Sequence, residues 1–273
     1  MILRNSVLLV FCLLSGAAYA DKPAFGDTFT FRAGGMQSNA DLTLAKTNDT
    51  FPESELNETS LGLDDDNNSL WLRADWQFAD RWRLAATYSK FEANGFNMIG
   101  TDGNFGDVDW TAGASLTKKF ESKLYIVDLV WDIWQSDRAH VGIGGGFHVA
   151  DVRAQVGATI ETNVGGQVNI VNFGTDDATL TAPLPNLILT SGPMLGEKVY
   201  LEATAGYFSL NYEDYDGELT SIRGSIEWRP FERFGVGAGY QYVDINVKRD
   251  DSTSQKEFDV KLTGPFLFLS FGI

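Results

Sequence analysis

Residues 70–78 read Leu70-Trp71-Leu72-Arg73-Ala74-Asp75-Trp76-Gln77-Phe78. Leu70, Leu72, Ala74, Trp76 and Phe78 fall on one parity and Trp71, Arg73, Asp75 and Gln77 on the other. A period of two is that of a strand, whose side chains point alternately to opposite faces. Ala79-Asp80-Arg81 then turns the chain, and Trp82, Leu84, Ala86 and Tyr88 resume the apolar face.

The same grammar repeats outward from this hairpin. Tyr125, Val127, Leu129, Trp131 and Ile133 alternate with Asp128 and Asp132, and a tight turn at 135–138 follows. The return strand sets Val141, Ile143, Phe147 and Val149 against His140, Gly142, Gly144, Gly146 and His148. Further hairpins are predicted over about 185–212 and 220–247, with an opening strand near 28–47 and a closing one near 258–273. Ten strands result, although an eight-strand count also satisfies the pattern. Four short turns, near residues 80, 136, 195 and 231, alternate with long connections at 48–66, 93–115, 153–182 and 249–257, and only 213–217 is short on that side. Short turns at one end and long loops at the other, with an even strand number, predict an all-β, closed, antiparallel, up-and-down transmembrane barrel.

The start of the chain fits export. Arg4, an apolar run from Val7 to Leu14 and Ala18-Tyr19-Ala20 form a predicted cleaved signal peptide over 1–20, leaving one barrel domain over 21–273. The single cysteine, Cys12, lies in that leader, so no disulfide is expected in the mature chain. A formal charge of −16 disfavours nucleic acid, which requires a basic face. Beyond the leader no apolar run is long enough for a membrane helix, so any insertion must use strands.

Periodicity cannot tell inside from outside, but the aromatic residues can. Trp76, Trp82, Trp131, Trp134 and Trp228 flank the short turns, with Tyr200 after the third, and suggest an interfacial girdle. A looser set, Tyr88, Tyr125, Tyr207, Tyr240 and Tyr242, lies toward the long loops. The opposite parity, carrying Arg73, Asp75, Arg83, Asp128, Asp132, Glu202, Arg223 and Glu227, would then form a polar network in the lumen. The final Leu267-Phe268-Leu269-Ser270-Phe271-Gly272-Ile273 resembles the closing strand of small Gram-negative outer-membrane β-barrel proteins, with Ile in place of the usual terminal aromatic. The chain is also similar to an uncharacterised proteobacterial barrel group with Leu61-Gly62-Leu63-Asp64-Asp65 and Tyr215-Asp216-Gly217 before particular strands. The resemblance implies residence in the outer membrane, insertion by the barrel-assembly machinery and no specific chemistry.

Candidate sites are few. His140 and His148 share a parity with each other and, through the turn, with Asp128 and Asp132; they could join a lumen network or, with His148 toward the outer rim, serve a hydrolase. Asp64, Asp65 and Asp66 offer carboxylates to a hard cation but lack the glycine and distal glutamate of a calcium loop, and a solvated acidic loop explains them equally. The glycines opposite bulky parities make room for neighbouring side chains or leave a narrow water path. The expected function is a non-enzymatic, plugged outer-membrane barrel, monomeric and without cofactor, whose loops contact lipopolysaccharide, ions or a partner. A small porin-like channel, a barrel hydrolase using His148 and a soluble lipocalin-like barrel are the rivals.

Overall fold

The computed structural model describes residue 25 and residues 27–48, 51–57, 67–98, 103–105, 108–110, 115–164, 167–212, 215–251 and 254–273. The leader over 1–20 and the acidic run Asp64–Asp66 lie outside the described residues.

Thirteen strands follow one another: β1 Phe29–Asn48, β2 Phe51–Asn57, β3 Asn67–Ala79, β4 Trp82–Met98, β5 Gly103–Phe105, β6 Val108–Trp110, β7 Ser115–Ser136, β8 Ala139–Val164, β9 Gln167–Leu195, β10 Val199–Tyr212, β11 Tyr215–Trp228, β12 Phe234–Asp251 and β13 Ser254–Gly272. Ten of them form the wall in the order β1-β3-β4-β7-β8-β9-β10-β11-β12-β13, every pair antiparallel, and β13 returns to β1 to close it. Closure leaves no edge in the wall, so its backbone donors and acceptors are paired within the sheet, which a hydrocarbon solvent demands. β2 pairs only with the upper part of β1, and β5 with β6 makes a separate small hairpin.

At the seam, Thr30 faces Gly272 and Asn48 faces Ser254. The chain ends are tied there: the Phe29 amide donates to the Ile273 carbonyl and the Ile273 amide to that of Phe29, each at 2.9 Å. Both ends of the barrel sequence therefore sit on the side of the tight turns. At the β9–β10 turn Gly196 takes φ 72°, which a side-chain-bearing residue adopts only at a cost.

The long connections predicted from sequence prove to be mostly strand. β8 has 26 residues and β9 29, and their pairing runs to Val164 opposite Gln167. β12 and β13 likewise pair as far as Asp251 and Ser254. A membrane crossing needs only about 9–11 residues, so the barrel rises well above any bilayer on this side. The polar, Thr- and Asn-rich composition of 153–182 hides its strand character, because above the membrane a strand need not carry a greasy outer stripe.

The wall obeys two different patterns along its height. Near the tight turns Leu129, Trp131, Ile143, Leu187, Ile226 and Leu267 are exposed on the outside, while Arg32, Arg73, Asp132, Glu202 and Glu227 are buried inside. Higher up, the dressing reverses. Phe91, Phe120, Leu124, Leu219, Val243, Ile245, Val247, Val260 and Leu262 are buried within, and Lys90, Glu92, Lys119, Asp244 and Lys261 alternate with them on the outer surface. The expectation of a uniformly polar lumen is corrected for the upper half, where the interior is an apolar core of the kind a water-soluble barrel builds.

Candidate functional site

The lower interior concentrates the charges. From β1, Arg32 donates through Nε to Glu227 Oε2 at 2.8 Å and through Nη1 to Asp75 Oδ2 at 2.5 Å. From β3, Arg73 donates through Nε to Asp75 Oδ2 at 2.9 Å and through Nη2 to Glu202 Oε1 at 3.2 Å. Arg223 of β11 donates to the same Glu202 oxygen at 2.9 Å. In the ring of ten strands β3 and β10 stand five places apart by either route, so the Arg73–Glu202 bond crosses the whole diameter of the barrel.

Below this layer, Glu227 accepts from Arg229 Nε and from the Ser270 hydroxyl, both at 2.7 Å. Arg229 also donates to Asp27, and its guanidinium carbon lies 4.2 Å from the Phe25 ring centroid. Asp27 precedes the first strand, and burial raises its carboxyl above the ordinary range although the Arg229 charge pulls the other way. Buried ions keep their charge only where partners replace water. Arginine suits this task, because its planar fork can serve two or three carboxylates at once.

A second cluster lies toward β4, β7 and β8. Arg83 donates to Asp132 with Nε at 3.1 Å and Nη2 at 2.8 Å, and its Nη2 also lies 2.8 Å from His140 Nδ1. A guanidinium can only donate, so Nδ1 accepts and the imidazole proton sits on Nε2, 2.7 Å from the Tyr200 hydroxyl oxygen. A β-carbon at Gly192 would fall 2.0 Å from that hydroxyl and 2.4 Å from Nε2, so this contact requires glycine there. Tyr200 is buried and bonded inside the barrel, which removes it from the girdle in which the sequence reading placed it. The register explains this: Tyr200 pairs with Glu227, which faces inward.

The tryptophans at the tight turns lie outside. Trp82, Trp131, Trp134 and Trp228 are exposed and Trp76 is half-buried, with the Trp82 and Trp131 rings 6.5 Å apart and the Trp76 and Phe78 rings 5.4 Å apart. A bulge between Asp132 and Trp134 turns both Ile133 and Trp134 outward. Tyr125, Tyr207 and Tyr240 are exposed near the level where the outer surface changes from apolar to charged.

Asp128 and His148 line a small cavity of about 20 Å³ with Asn186, Gln241 and Arg223. Asp128 Oδ1, His148 Nδ1 and both Asn186 amide atoms have no hydrogen-bond partner among the described residues. The space suits one water molecule rather than a substrate. His148 pairs with Ile126 and Leu184, both buried, and lies below the apolar upper interior instead of near an open rim. Of the two histidines it is the one farther from the tight turn, and β7 and β8 extend well beyond it toward the rim. Among the described residues no cluster of His, Cys, Asp and Glu is arranged to hold a metal ion.

Sequence reading missed the inward aromatic wedge. Trp71 stacks on Phe266 with centroids 4.7 Å apart, and Met36 and Phe268 complete the cluster. β-Carbons at Gly237 and Gly239 would come within 2.2 Å of Phe268 and 2.3 Å of Phe266. The alternation of glycine on β12 with phenylalanine on β13 at matching parity, Gly237 opposite Phe268 and Gly239 opposite Phe266, was the available signal.

No family model and no curated protein matches the chain. Among solved structures, it is similar to the outer membrane protease OmpT from Escherichia coli, with 9% identity, 89% of this chain and 97% of that one covered, and a TM-score of 0.56. The outer membrane protein OprG from Pseudomonas aeruginosa matches at 12% identity over 94% of this chain and 99% of that one, with a TM-score of 0.34. Ail of Yersinia pestis matches at 8% identity over 86% and 97%, with a TM-score of 0.27. The OmpT likeness is one of fold alone. With the closed ten-stranded wall, its apolar lower exterior and its turn-side tryptophans, the chain has the architecture of a bacterial outer-membrane β-barrel.

Proposed function

We propose that the protein is a non-enzymatic barrel whose interior is sealed and whose work is done on its outward surfaces. The observation that carries this reading is the Arg73–Glu202 bond across the full diameter, held in a network with Arg32, Asp75, Arg223 and Glu227. Barrels of this size are normally filled by side chains, and here the apolar core of Leu219, Val243, Ile245 and Leu262 lies above the ionic layer as a second closure. An ion would have to break paired buried charges and then cross a dry layer. Planar-bilayer recording tests the reading: the reconstituted barrel should leave the membrane sealed, and discrete conductance steps would overturn it in favour of a diffusion channel.

The outward surface supports lipopolysaccharide as the neighbour of the upper wall. Just above the Tyr125 level, Lys90, Lys119 and Lys123 lie on the outside, Lys90 paired to Glu92 at 2.8 Å and Lys123 to Glu121. Such bases meet phosphorylated sugar headgroups with charge-assisted hydrogen bonds. The neighbouring acids suit divalent ions bridging the same phosphates. The protein acts as a monomer in this reading and reaches the membrane through the barrel-assembly machinery. A hydrolase role for His148 would need substrate to enter a cavity of about 20 Å³; lipid or peptide turnover lost in His148→Ala would establish it against this reading.

A further inference from the structure

The outer wall carries a recess at Gly145. Gly145 points outward on β8 between Ile143 and Phe147, opposite Leu129 on β7 and Leu187 on β9, and all four of these side chains are exposed. The missing side chain deepens an open groove bounded by Trp82, Trp131, Ile143, Leu129 and Leu187. It faces the level at which lipid must lie, and its lower end meets the tryptophans of the turn side.

Directly below lie two neighbouring turns, since β4 pairs with β7. One carries Asp80-Arg81 and the other Asp137-Arg138, and all four side chains are exposed. The remaining tight turns repeat the arrangement with Glu197-Lys198 and Glu232-Arg233, also exposed. An acid followed at once by a base gives each turn no net charge. It gives instead one anion and one cation side by side, the complement of a headgroup that holds a phosphate and a protonated amine. Arg81 lies level with Asp132 on the neighbouring strand and Arg138 six residues farther along it, roughly 20 Å at about 3.3 Å per residue, so one phosphate is shared by the two arginines with both side chains extended toward it.

Heights agree with this. From Arg138 to Gly145 is seven residues of strand, which at about 3.3 Å per residue and a tilt near 40° is a rise of roughly 18 Å. Half the hydrocarbon thickness is about 15 Å. An acyl chain whose headgroup rests on the turns therefore ends in the groove.

We infer that the outer wall binds one amine-bearing zwitterionic glycerophospholipid of the inner leaflet, its phosphate on Arg81 and Arg138, its ammonium toward Asp80 and Asp137, and one acyl chain in the Gly145 groove. Such a lipid would hold the barrel at a fixed depth and orientation, and would fill a recess that the moving bilayer otherwise packs poorly.

Native mass spectrometry of the full barrel, purified in mild detergent and supplied with phosphatidylethanolamine, phosphatidylglycerol or phosphatidylcholine, tests this. One phosphatidylethanolamine should be retained in preference to the other two. Arg81→Gln with Arg138→Gln should lower its retention about tenfold, the loss of roughly one charge-assisted hydrogen bond. Gly145→Leu should lower it at least tenfold by occupying the floor of the groove. A β-carbon at that position meets nothing nearer than the Asn186 carbonyl oxygen at 3.4 Å, so the variant should fold; unchanged heat-modifiable migration on gels verifies that it does. Equal retention of the three lipids, or retention unchanged in folded Gly145→Leu, overturns the inference.

Discussion

The lower and upper halves of this barrel are built from the same strands and dressed in opposite senses. On β7, Asp132 and Asp128 point inward and Trp131, Leu129 and Val127 outward; a few residues earlier Phe120 and Leu124 point inward and Lys119, Glu121 and Lys123 outward. β12 repeats the change, from Gln241 inside with Tyr240 outside to Val243, Ile245 and Val247 inside with Asp244 and Lys248 outside. The backbone alternates without interruption in both halves, so the reversal is chemical and follows the solvent outside. Lipid rewards apolar exterior atoms and obliges charges to pair in the interior, whereas water rewards the reverse. Each half should therefore fail by a different route when damaged.

The largest effect is expected where charges are densest. Glu202→Ala leaves Arg73 and Arg223 without their shared carboxylate in a buried layer, and removal of one partner from such a network costs about 3–5 kcal/mol. Urea unfolding of the barrel in liposomes should show that loss. Glu202→Gln, which keeps the acceptor oxygen but not the charge, should recover part of it. A cost under 1 kcal/mol for Glu202→Ala would mean that water reaches the arginines and that the lower interior is wet.

In the upper half the corresponding damage is a void. Leu219 is fully buried and pairs with Ile245 and Phe208, so Leu219→Ala should cost about 2–5 kcal/mol through lost apolar burial and an unfilled cavity. Unlike the Glu202 variant it strands no buried charge.

Much of this contrast was legible in the sequence and some was not. The charged parity of 70–78 and the outward Val127, Leu129 and Trp131 follow directly from period two combined with the placement of tryptophan at turns. The reversal on β12 was also written there, in Tyr242, Asp244 and Lys248 set against Val243, Ile245 and Val247. A single rule of apolar side outward, applied to the whole strand, cannot register a change of solvent halfway along it. Tyr200 was misplaced for a related reason: proximity to a turn suggested an interfacial ring, but its parity with Glu202 already assigned it to the interior. The cross-barrel partners are beyond any local pattern, since Arg73 and Glu202 are 129 residues apart and meet only because ten strands close.

A sharper test puts one substitution on the same face at two heights. Leu129→Arg places a guanidinium on the outer wall at bilayer depth, where it should cost about 2–4 kcal/mol. Asn246→Arg places it on the outer wall of the upper half, between Asp244 and Lys248, where surface substitutions change stability by about 0.5 kcal/mol or less. Equal costs at the two positions would abolish the distinction between the halves.

The smallest effect belongs to Asp27, at the lower mouth of the barrel, where the ionic layer meets the periplasmic side. Burial raises its carboxyl above the unfolded value despite the Arg229 charge and the Thr30 hydroxyl, which donates to it at 3.1 Å. A carboxyl raised on folding takes up protons more readily in the native state than in the unfolded one, so its contribution improves as the pH falls through the native value and levels off below the unfolded one. Wild-type stability measured against Asp27→Asn, from neutral pH down to about 4, the ordinary carboxylate range, should therefore shift in favour of the wild type as acid is added. A pH difference of the opposite sign would mean that the Asp27–Arg229 contact outweighs the loss of water around it, and that the ionic layer extends undiminished to the end of the barrel.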